Sequence, residues 1–406
     1  MPITVRPMQP ADAERLVRTD FRAFGVGISE VPAGVTRLTE VFETDRFVVA
    51  LDGADLVGNG GAFSFDITVP GGATLPVSAI TWIAVLPTHR RRGVMRSVMD
   101  ALADDARSRG EAAMILVASE GSIYSNVGYG AATQWRQTEL ETRRIRFRPD
   151  LPAPAGRVRF VEPEDAVKVL GPIHDEVRLL TPGEISRTED WWKGHVTEGP
   201  HRLSFFVVHT DDDGHDDGYA AYKITERWHH GHPGHLCEVE YFGAATPEAH
   251  AALWRYLCSL DLVSEVTTRC LAPDDPLPLL VENPRLVRTT EVNDGIWHRL
   301  LDTPAFLSAR RYAVDDELVL DVTDDEPGVS GRWRVAGGRD AATCAATDLP
   351  ADVSLSPRTL SAIAIGAAPV HQQARAGHIT ASDSAAIDRL ARFLRWEPVP
   401  WCGTNF

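Results

Sequence analysis

The turn Arg90-Arg91-Arg92-Gly93-Val94-Met95 constrains what this chain can fold into more than any other stretch. An apolar run at 80–86 precedes it, and a segment with helical periodicity, 94–109, follows it directly. Met95, Val98, Met99, Leu102 and Ala106 recur at i, i+3, i+4, i+7 and i+11, one face of a helix. Gly110 stands where a C-terminal cap belongs, and 114–118 reads as a buried strand. The predicted order is strand, basic glycine turn, helix, strand. Such a turn aims backbone N–H groups and a helix N-terminus at a bound anion. The arginines add fork-shaped donors for phosphate oxygens. A pyrophosphate-bearing ligand is therefore expected, with an unliganded basic surface turn as the plain alternative. The turn lacks the Gly-Lys-Ser/Thr ending of a P-loop, and its single glycine excludes a G-x-G-x-x-G dinucleotide motif.

The 406 residues are too many for one typical domain. Two internal echoes suggest how they divide. Val5-Arg6 followed by Pro10-Ala11-Asp12-Ala13 returns as Val158-Arg159 followed by Pro163-Glu164-Asp165-Ala166. A strand at 237–242 then precedes a helix with Leu253, Tyr256, Leu257 and Leu260 at helical spacing, but the arginine–glycine turn is gone. This reads as a second copy of the first fold that no longer holds the ligand. A proline-rich stretch at 146–154 reads as a linker between the copies. Leu318, Leu320 and Val322 alternate as in a half-buried strand, with a second strand at Trp333 and Val335. Ser356-Pro357 opens a helix that Gly366 closes, and Ile387, Leu390 and Leu394 mark a last helix after Asp383. The expected domains are 1–153, 154–290 and 291–406, an α/β (α+β) architecture.

Net charge is 41 − 57 = −16. This argues against nucleic acid and anionic membranes, which want basic patches; it is compatible with cationic substrates such as amines, although charge alone is explained as well or better by solubility. Five widely spaced cysteines form no CxxC pair, so neither structural zinc nor disulfides are implied, and a reducing cytoplasm is the simplest setting. No apolar run has the length of a membrane span. The acidic run at 211–218 reads as a hairpin tip without calcium-loop spacing, and the histidine run at 229–235 as a surface loop. No metal is expected. The end, Trp396 to Phe406, is rich in aromatics and prolines and poor in charge, so a docked terminus is expected.

Arg90, Gly93 and Met95 occupy the marked positions of the R/Q-x-x-G-x-G/A loop that binds acetyl-CoA in Gcn5-related (GNAT) N-acetyltransferases. Met95 departs from it, standing where a small residue is usual. The loop, the turn Ser119-Glu120-Gly121-Ser122-Ile123-Tyr124, the loop-less second copy, a third domain similar to sterol carrier proteins and the terminal Phe406 together resemble Eis-type (enhanced intracellular survival) N-acetyltransferases. The resemblance covers essentially the whole chain. It implies tandem GNAT-like folds, acetyl-CoA as co-substrate, a small-molecule amine as acceptor (aminoglycosides, polyamines or lysine side chains) and a homo-hexamer.

It also implies site residues. The strand before the loop should splay from the next, exposing backbone groups of Ile83, Ala84 and Val85 to pantetheine. Arg90, Arg91, Arg92, Gly93, Val94, Met95 and Arg96 should receive the pyrophosphate, with Ser119 and Glu120 flanking the cofactor. Tyr124 is implied as general acid, ahead of the neighbouring Tyr129, and the carboxylate of Phe406 as general base. Phe24, Glu30, Trp82 and Asn405 are candidates for the amine pocket, whereas Phe63 and Phe65 read as core. Asn405 is an amide where a carboxylate would help to hold a cation, which weakens the aminoglycoside expectation. A hydrophobic-ligand carrier and a CoA-binding regulator without turnover are the competing functions.

Overall fold

A computed structural model describes residues 3–197 and 203–406. They fall into two compact units. The first holds the chain up to Ala132, Ile296–Trp396 and Phe406; the second holds Thr133–Gly295 and Glu397–Asn405.

The first unit opens with β1 (Thr4–Pro7), α1 (Ala13–Phe24), α2 (Val31–Val41), β2 (Val48–Asp52), β3 (Asp55–Thr68) and β4 (Thr74–Val85). Then come α3 (Val94–Ser108), β5 (Ala113–Val117), α4 (Gly121–Ser125) and β6 (Gly130–Ala131). The second unit runs through β7 (Gln134–Glu141), β8 (Arg157–Val161), α5 (Pro163–Leu180), α6 (Glu189–Trp192), β9 (Phe205–Thr210) and β10 (Asp216–Thr225). A small ladder, β11 (Trp228–His229) with β12 (His232–Pro233), precedes β13 (His235–Ala244), α7 (Pro247–Cys258), β14 (Val263–Leu271), α8 (Leu277–Leu280) and β15 (Val287–Asp294). Back in the first unit lie β16 (Ile296–Leu300), α9 (Thr303–Ala309), β17 (Asp316–Val322), β18 (Gly331–Gly337), β19 (Ala342–Ala346) and β20 (Val353–Leu355). The chain then forms α10 (Pro357–Ile363), α11 (Val370–Arg375), β21 (Ile379–Ala381) and α12 (Ser384–Leu394).

Two seven-stranded sheets result, ordered β1-β2-β3-β4-β5-β16-β6 and β8-β9-β10-β13-β14-β7-β15. They match position by position, so the internal echo is a repeat of the fold. Each sheet takes its sixth strand from the other side of the chain crossing. β7 follows β6 in sequence yet pairs with β14 and β15; β16 follows β15 yet pairs with β5 and β6. The expected limits at 153/154 and 290/291 are therefore displaced: the first sheet's opening run ends by Ala132, and 296–300 returns to it. The proline-rich stretch is a loop inside the second unit, where Arg148 N donates to Leu280 O at 3.0 Å and Arg146 O accepts from Glu282 N at 2.9 Å. Local composition reports a loop; sheet membership depends on pairing over long range.

The third region builds a five-stranded sheet, β19-β18-β17-β20-β21, covered by short helices. Ser356 Oγ accepts from Thr359 N at 3.2 Å and Asp383 Oδ1 from Ala386 N at 2.9 Å, the two helix starts expected there. α1 starts at Ala13, after the Pro10-Ala11-Asp12 part of the echo. Pro10–Asp12 forms a separate tight turn, and Asp12 accepts from Gln9 N at 2.9 Å and from Arg6.

Glycines set how closely α3 lies on the first sheet. A Cβ on Gly60 would come within 2.5 Å of Ile83 Cδ1 and 2.8 Å of Val98 Cγ1, and one on Gly58 within 2.8 Å of Val94 Cγ1. Val94, Val98, Met99, Leu102, Ala103 and Ala106 are the buried stripe of α3, packed with Met114, Leu116, Tyr124 and Tyr129.

Candidate active site

β4 and β5 are parallel neighbours for only three residue pairs, Val77 with Ala113, Ser78 with Met114 and Ala79 with Ile115. Beyond Ala79 their ladder stops, and the β5-facing edge of 80–85 carries backbone groups with no strand partner in the sheet. On its other edge β4 is bulged: Thr81 faces Gly61 and Ala84 faces Asn59, so Trp82 and Ile83 share Gly60. Trp82 takes φ +53°, a strained value for a large side chain. Asn59 holds it there, donating from Nδ2 to Trp82 O at 2.8 Å. Ile83, Ala84 and Val85 thus border an open wedge between two strands.

The arginine–glycine turn closes the wide end. Arg91 and Gly93 have φ of +62° and +79°; Gly93 is the N-cap of α3, and a Cβ there would touch nothing. Glycine serves the backbone conformation at this point, not close packing. Ser97 N donates to Gly93 O at 3.0 Å, so the N–H groups of Val94, Met95 and Arg96 precede the first helical bond. Arg90 and Arg91 are exposed and enter no ion pair among the described residues. Arg92 is engaged with Asp52 at 2.9 Å and holds that carboxyl below its usual range. Arg96 donates to Asn126 O at 2.9 Å, tying the start of α3 to the end of α4. Met95 packs on the α3 core, which accounts for a long side chain in the loop.

Ser119 and Glu120 are exposed at the end of β5. Tyr124, on α4, is 6% exposed; burial raises its pKa, and a hydrogen bond with Ser119 opposes the shift. The phenol is therefore protonated at neutral pH. Tyr129 is 0% exposed, and its hydroxyl has no hydrogen-bond partner among the described residues. Its ring lies 6.1 Å from that of Tyr124, so it packs behind it.

On the β3 face opposite α3 runs an aromatic row. Phe42 stacks on Phe63 at 4.8 Å, Phe63 on Phe65 at 5.1 Å, and Trp82 meets Phe42 at 5.2 Å. The Phe406 ring meets Phe65 edge-on at 6.0 Å, so the chain's last residue ends this row. Phe63 and Phe65 are 2% and 3% exposed, as their core reading expects. Phe24, 56% exposed, makes no ring contact with the row among the described residues. Glu30 is exposed at the start of α2 and accepts from Ser29 Oγ at 3.4 Å. Asn405 belongs to the second unit, its side chain exposed and its carbonyl accepting from Trp191 Nε1 at 2.9 Å.

Two residues of this site escaped the motif reading. Asn59 is fully buried and shapes the bulge; Asp20 on α1 hydrogen-bonds to it, and burial pushes the Asp20 carboxyl up to about 6. The signal was present: Asn59 interrupts the apolar, glycine-rich run 57–62, and Asp20 falls on the apolar stripe of Leu16 and Val17.

The acidic and histidine runs lie elsewhere. Asp211 Oδ1 accepts from Asp213 N and His215 N, which makes it a turn residue, and 228–233 forms the small ladder. Among the described residues no group of three or more His, Cys, Asp or Glu could hold a metal, and no helix is long and apolar enough to cross a membrane.

A wedge between splayed parallel strands, a bulge beside it and a basic glycine turn at a helix start define an acyl-CoA-dependent acetyltransferase of the GNAT class. Comparison with known proteins agrees. Acetyltransferase (GNAT) domain models match residues 4–132 and 183–305, and a sterol carrier protein domain model matches 303–403. An uncharacterized N-acetyltransferase of Streptomyces avermitilis is 32% identical over all of this chain and 99% of its own. N-acetyltransferase Eis of Mycobacterium tuberculosis is 33% identical over 91% of each chain. The crystal structure of Eis1 from Mycobacterium abscessus superposes with a TM-score of 0.86 at 28% identity, covering 99% of this chain and all of that one. The chain belongs to the Eis-type N-acetyltransferases, and its fold implies acetyl-CoA as co-substrate.

Proposed function

We propose that the chain acetylates a primary amine of a cationic small molecule by direct transfer from acetyl-CoA. The observation that carries this reading is the wedge between β4 and β5, with the arginine–glycine turn at one end and Tyr124, Trp82 and Phe406 in the same unit. The residues present fit the co-substrate. The backbone of Ile83, Ala84 and Val85 would pair with pantetheine, the N–H groups of 94–96 with Arg90 and Arg91 would take the pyrophosphate, and Ser119 would flank the thioester. Bound acetyl-CoA supplies the activated acetyl group.

In this reading the amine must first lose a proton, since aliphatic amines are mostly protonated at neutral pH. The Phe406 carboxylate accepts it. A terminal carboxylate has a reference pKa of about 3.3–3.7, so it acts through proximity, not strong basicity. The C–N bond forms as the C–S bond breaks, and the buried phenol of Tyr124 gives its proton to the departing sulfur. Homo-hexameric assembly in the cytoplasm belongs to the same proposal, on the family resemblance.

Thiol release from acetyl-CoA with polyamines, aminoglycosides and lysine peptides tests the reading. Turnover with at least one amine is expected. Tight CoA binding with no turnover on any would replace it with a regulatory role. Extending the chain beyond Phe406 should lower turnover by about 100-fold or more, within the usual range for removing a general base; full activity with such an extension would remove the carboxylate's role.

A further inference from the structure

We infer that the second acetyltransferase fold holds the catalytic tail, gripping residues 401–405 beside the strand parting that corresponds to the acetyl-CoA wedge of the first fold. This rests on the reading of Phe406 as the base.

The second sheet keeps the geometry of the first. β13 and β14 are parallel neighbours as far as Val239 with Thr268, and β13 bulges at once, Ala221 facing Tyr241 and Tyr222 facing Val239. What it lacks is the anion cradle: α7 opens with Thr246, Pro247 and Glu248, so one N–H is missing and a carboxylate stands in the first turn. Beyond the parting, β14 turns Arg269 and Cys270 to the tail. Arg269 Nη2 donates to Gly403 O at 3.3 Å and Cys270 Sγ to Cys402 O at 3.6 Å.

The segment between α5 and α6 completes the grip. The buried Glu184 carboxylate accepts from Gly403 N at 2.8 Å, Thr404 Oγ1 at 2.5 Å and Cys402 Sγ at 3.2 Å. Thr404 Oγ1 in turn accepts from Arg187 Nε at 2.8 Å. The Arg187 guanidinium is fixed by the rings of Trp191, Trp192 and Tyr241, at 4.5, 4.8 and 4.7 Å. Trp401 N donates to Pro182 O at 2.9 Å, and a Cβ on Gly183 would come within 2.8 Å of Trp401 O. With the bond from Trp191 to Asn405 O, each residue from 401 to 405 is tied, whereas chain ends ordinarily fray. Phe406 follows by one peptide bond. The fold without the CoA turn is thereby given a use: it fixes the five residues that lead to Phe406, whose own ring meets Phe65.

The test uses the full chain without a C-terminal tag. Glu184→Gln and, as a variant confined to the tail, Thr404→Ala should each lower kcat by about 10- to 100-fold while KM for acetyl-CoA stays within about twofold, the pattern of a misplaced catalytic group. Hydrogen exchange of amides 401–405 should quicken in both. Neither change should add to the loss caused by deleting Phe406. Unchanged exchange, or a loosened tail with full kcat while Phe406 deletion inactivates, overturns the inference. Full activity after Phe406 deletion overturns instead the reading of Phe406 as base, and the positioning role falls with it.

Discussion

The two seven-stranded sheets share strand order, splay and bulge, yet only one carries the means to hold a nucleotide. In the first, the helix after the parting starts at a glycine with φ +79° among arginines. In the second, it starts at Thr-Pro-Glu. The comparison separates what the fold supplies, an open seam beside a bulge, from what a few residues at a helix start supply, the choice of occupant.

Among single substitutions the largest expected effect comes from Tyr124→Phe, which should cut kcat by about 100-fold with little change in KM for acetyl-CoA. Its hydroxyl is buried beside Ser119, whereas Tyr129→Phe removes a hydroxyl with no partner and should cost little activity. Equal losses would end the distinction between the two tyrosines. Next, Arg90→Ala with Arg91→Ala should raise KM for acetyl-CoA by about 10-fold or more, since charge-assisted hydrogen bonds contribute about 1.5–3 kcal/mol. Calorimetry on the parent chain should find one CoA site per chain; two would contradict the reading of the second fold.

Glycine positions offer a subtler contrast. Gly60→Ala pushes on Ile83 and Val98, and Gly218→Ala on Ala249 at 2.9 Å and Leu253 at 3.1 Å, the same helix-on-sheet contact in the other fold. Each should cost about 1–3 kcal/mol of stability, measured by denaturant midpoint. Only Gly60→Ala should also weaken acetyl-CoA binding, because Ile83 borders the wedge.

The smallest effect concerns pH. Burial raises the Asp20 carboxyl to about 6 in the first unit and lowers the His174 imidazole well below its usual value in the second. A raised carboxyl favours the fold at low pH, and this contribution is lost as pH climbs from about 4 to about 6. Neutral His174 does the reverse: its contribution is present above about 6.5 and is lost as pH falls below it. Asp20→Asn should therefore stabilise the chain at pH 8, by at most about 3 kcal/mol, and leave it unchanged near pH 3. Melting curves that shift equally at both pH values would rule out a buried, titrating Asp20.

Much of this was legible in sequence for a definite reason. The turn at 90–95, the stripe of α3 and the caps at Ser356 and Asp383 are local patterns, and local patterns reach the sequence directly. The exchange of β7 and β16, the network from Asp20 through Asn59 to Trp82, and the grip of Glu184 on residues 402–404 join positions far apart in the chain. A polar residue in an apolar pattern, as at Asp20 and Asn59, signals burial, but nothing in these neighbourhoods names the partner. Phe24 and Glu30, candidates for the amine pocket, are both exposed at neighbouring helix ends, and their place beside an acceptor depends on that acceptor and not on a local pattern.

The crossing of β7 and β16 also bears on how the protein is made. On a ribosome β5 emerges with one side waiting for a strand about 180 residues downstream, a gap of about 9–36 s at ordinary elongation rates. Throughout that interval the nascent chain exposes the edge of an apolar strand, the kind of edge that recruits wrong partners. A cut at the linker-like prolines would leave the first sheet without β16, because that strand lies about 150 residues beyond the cut.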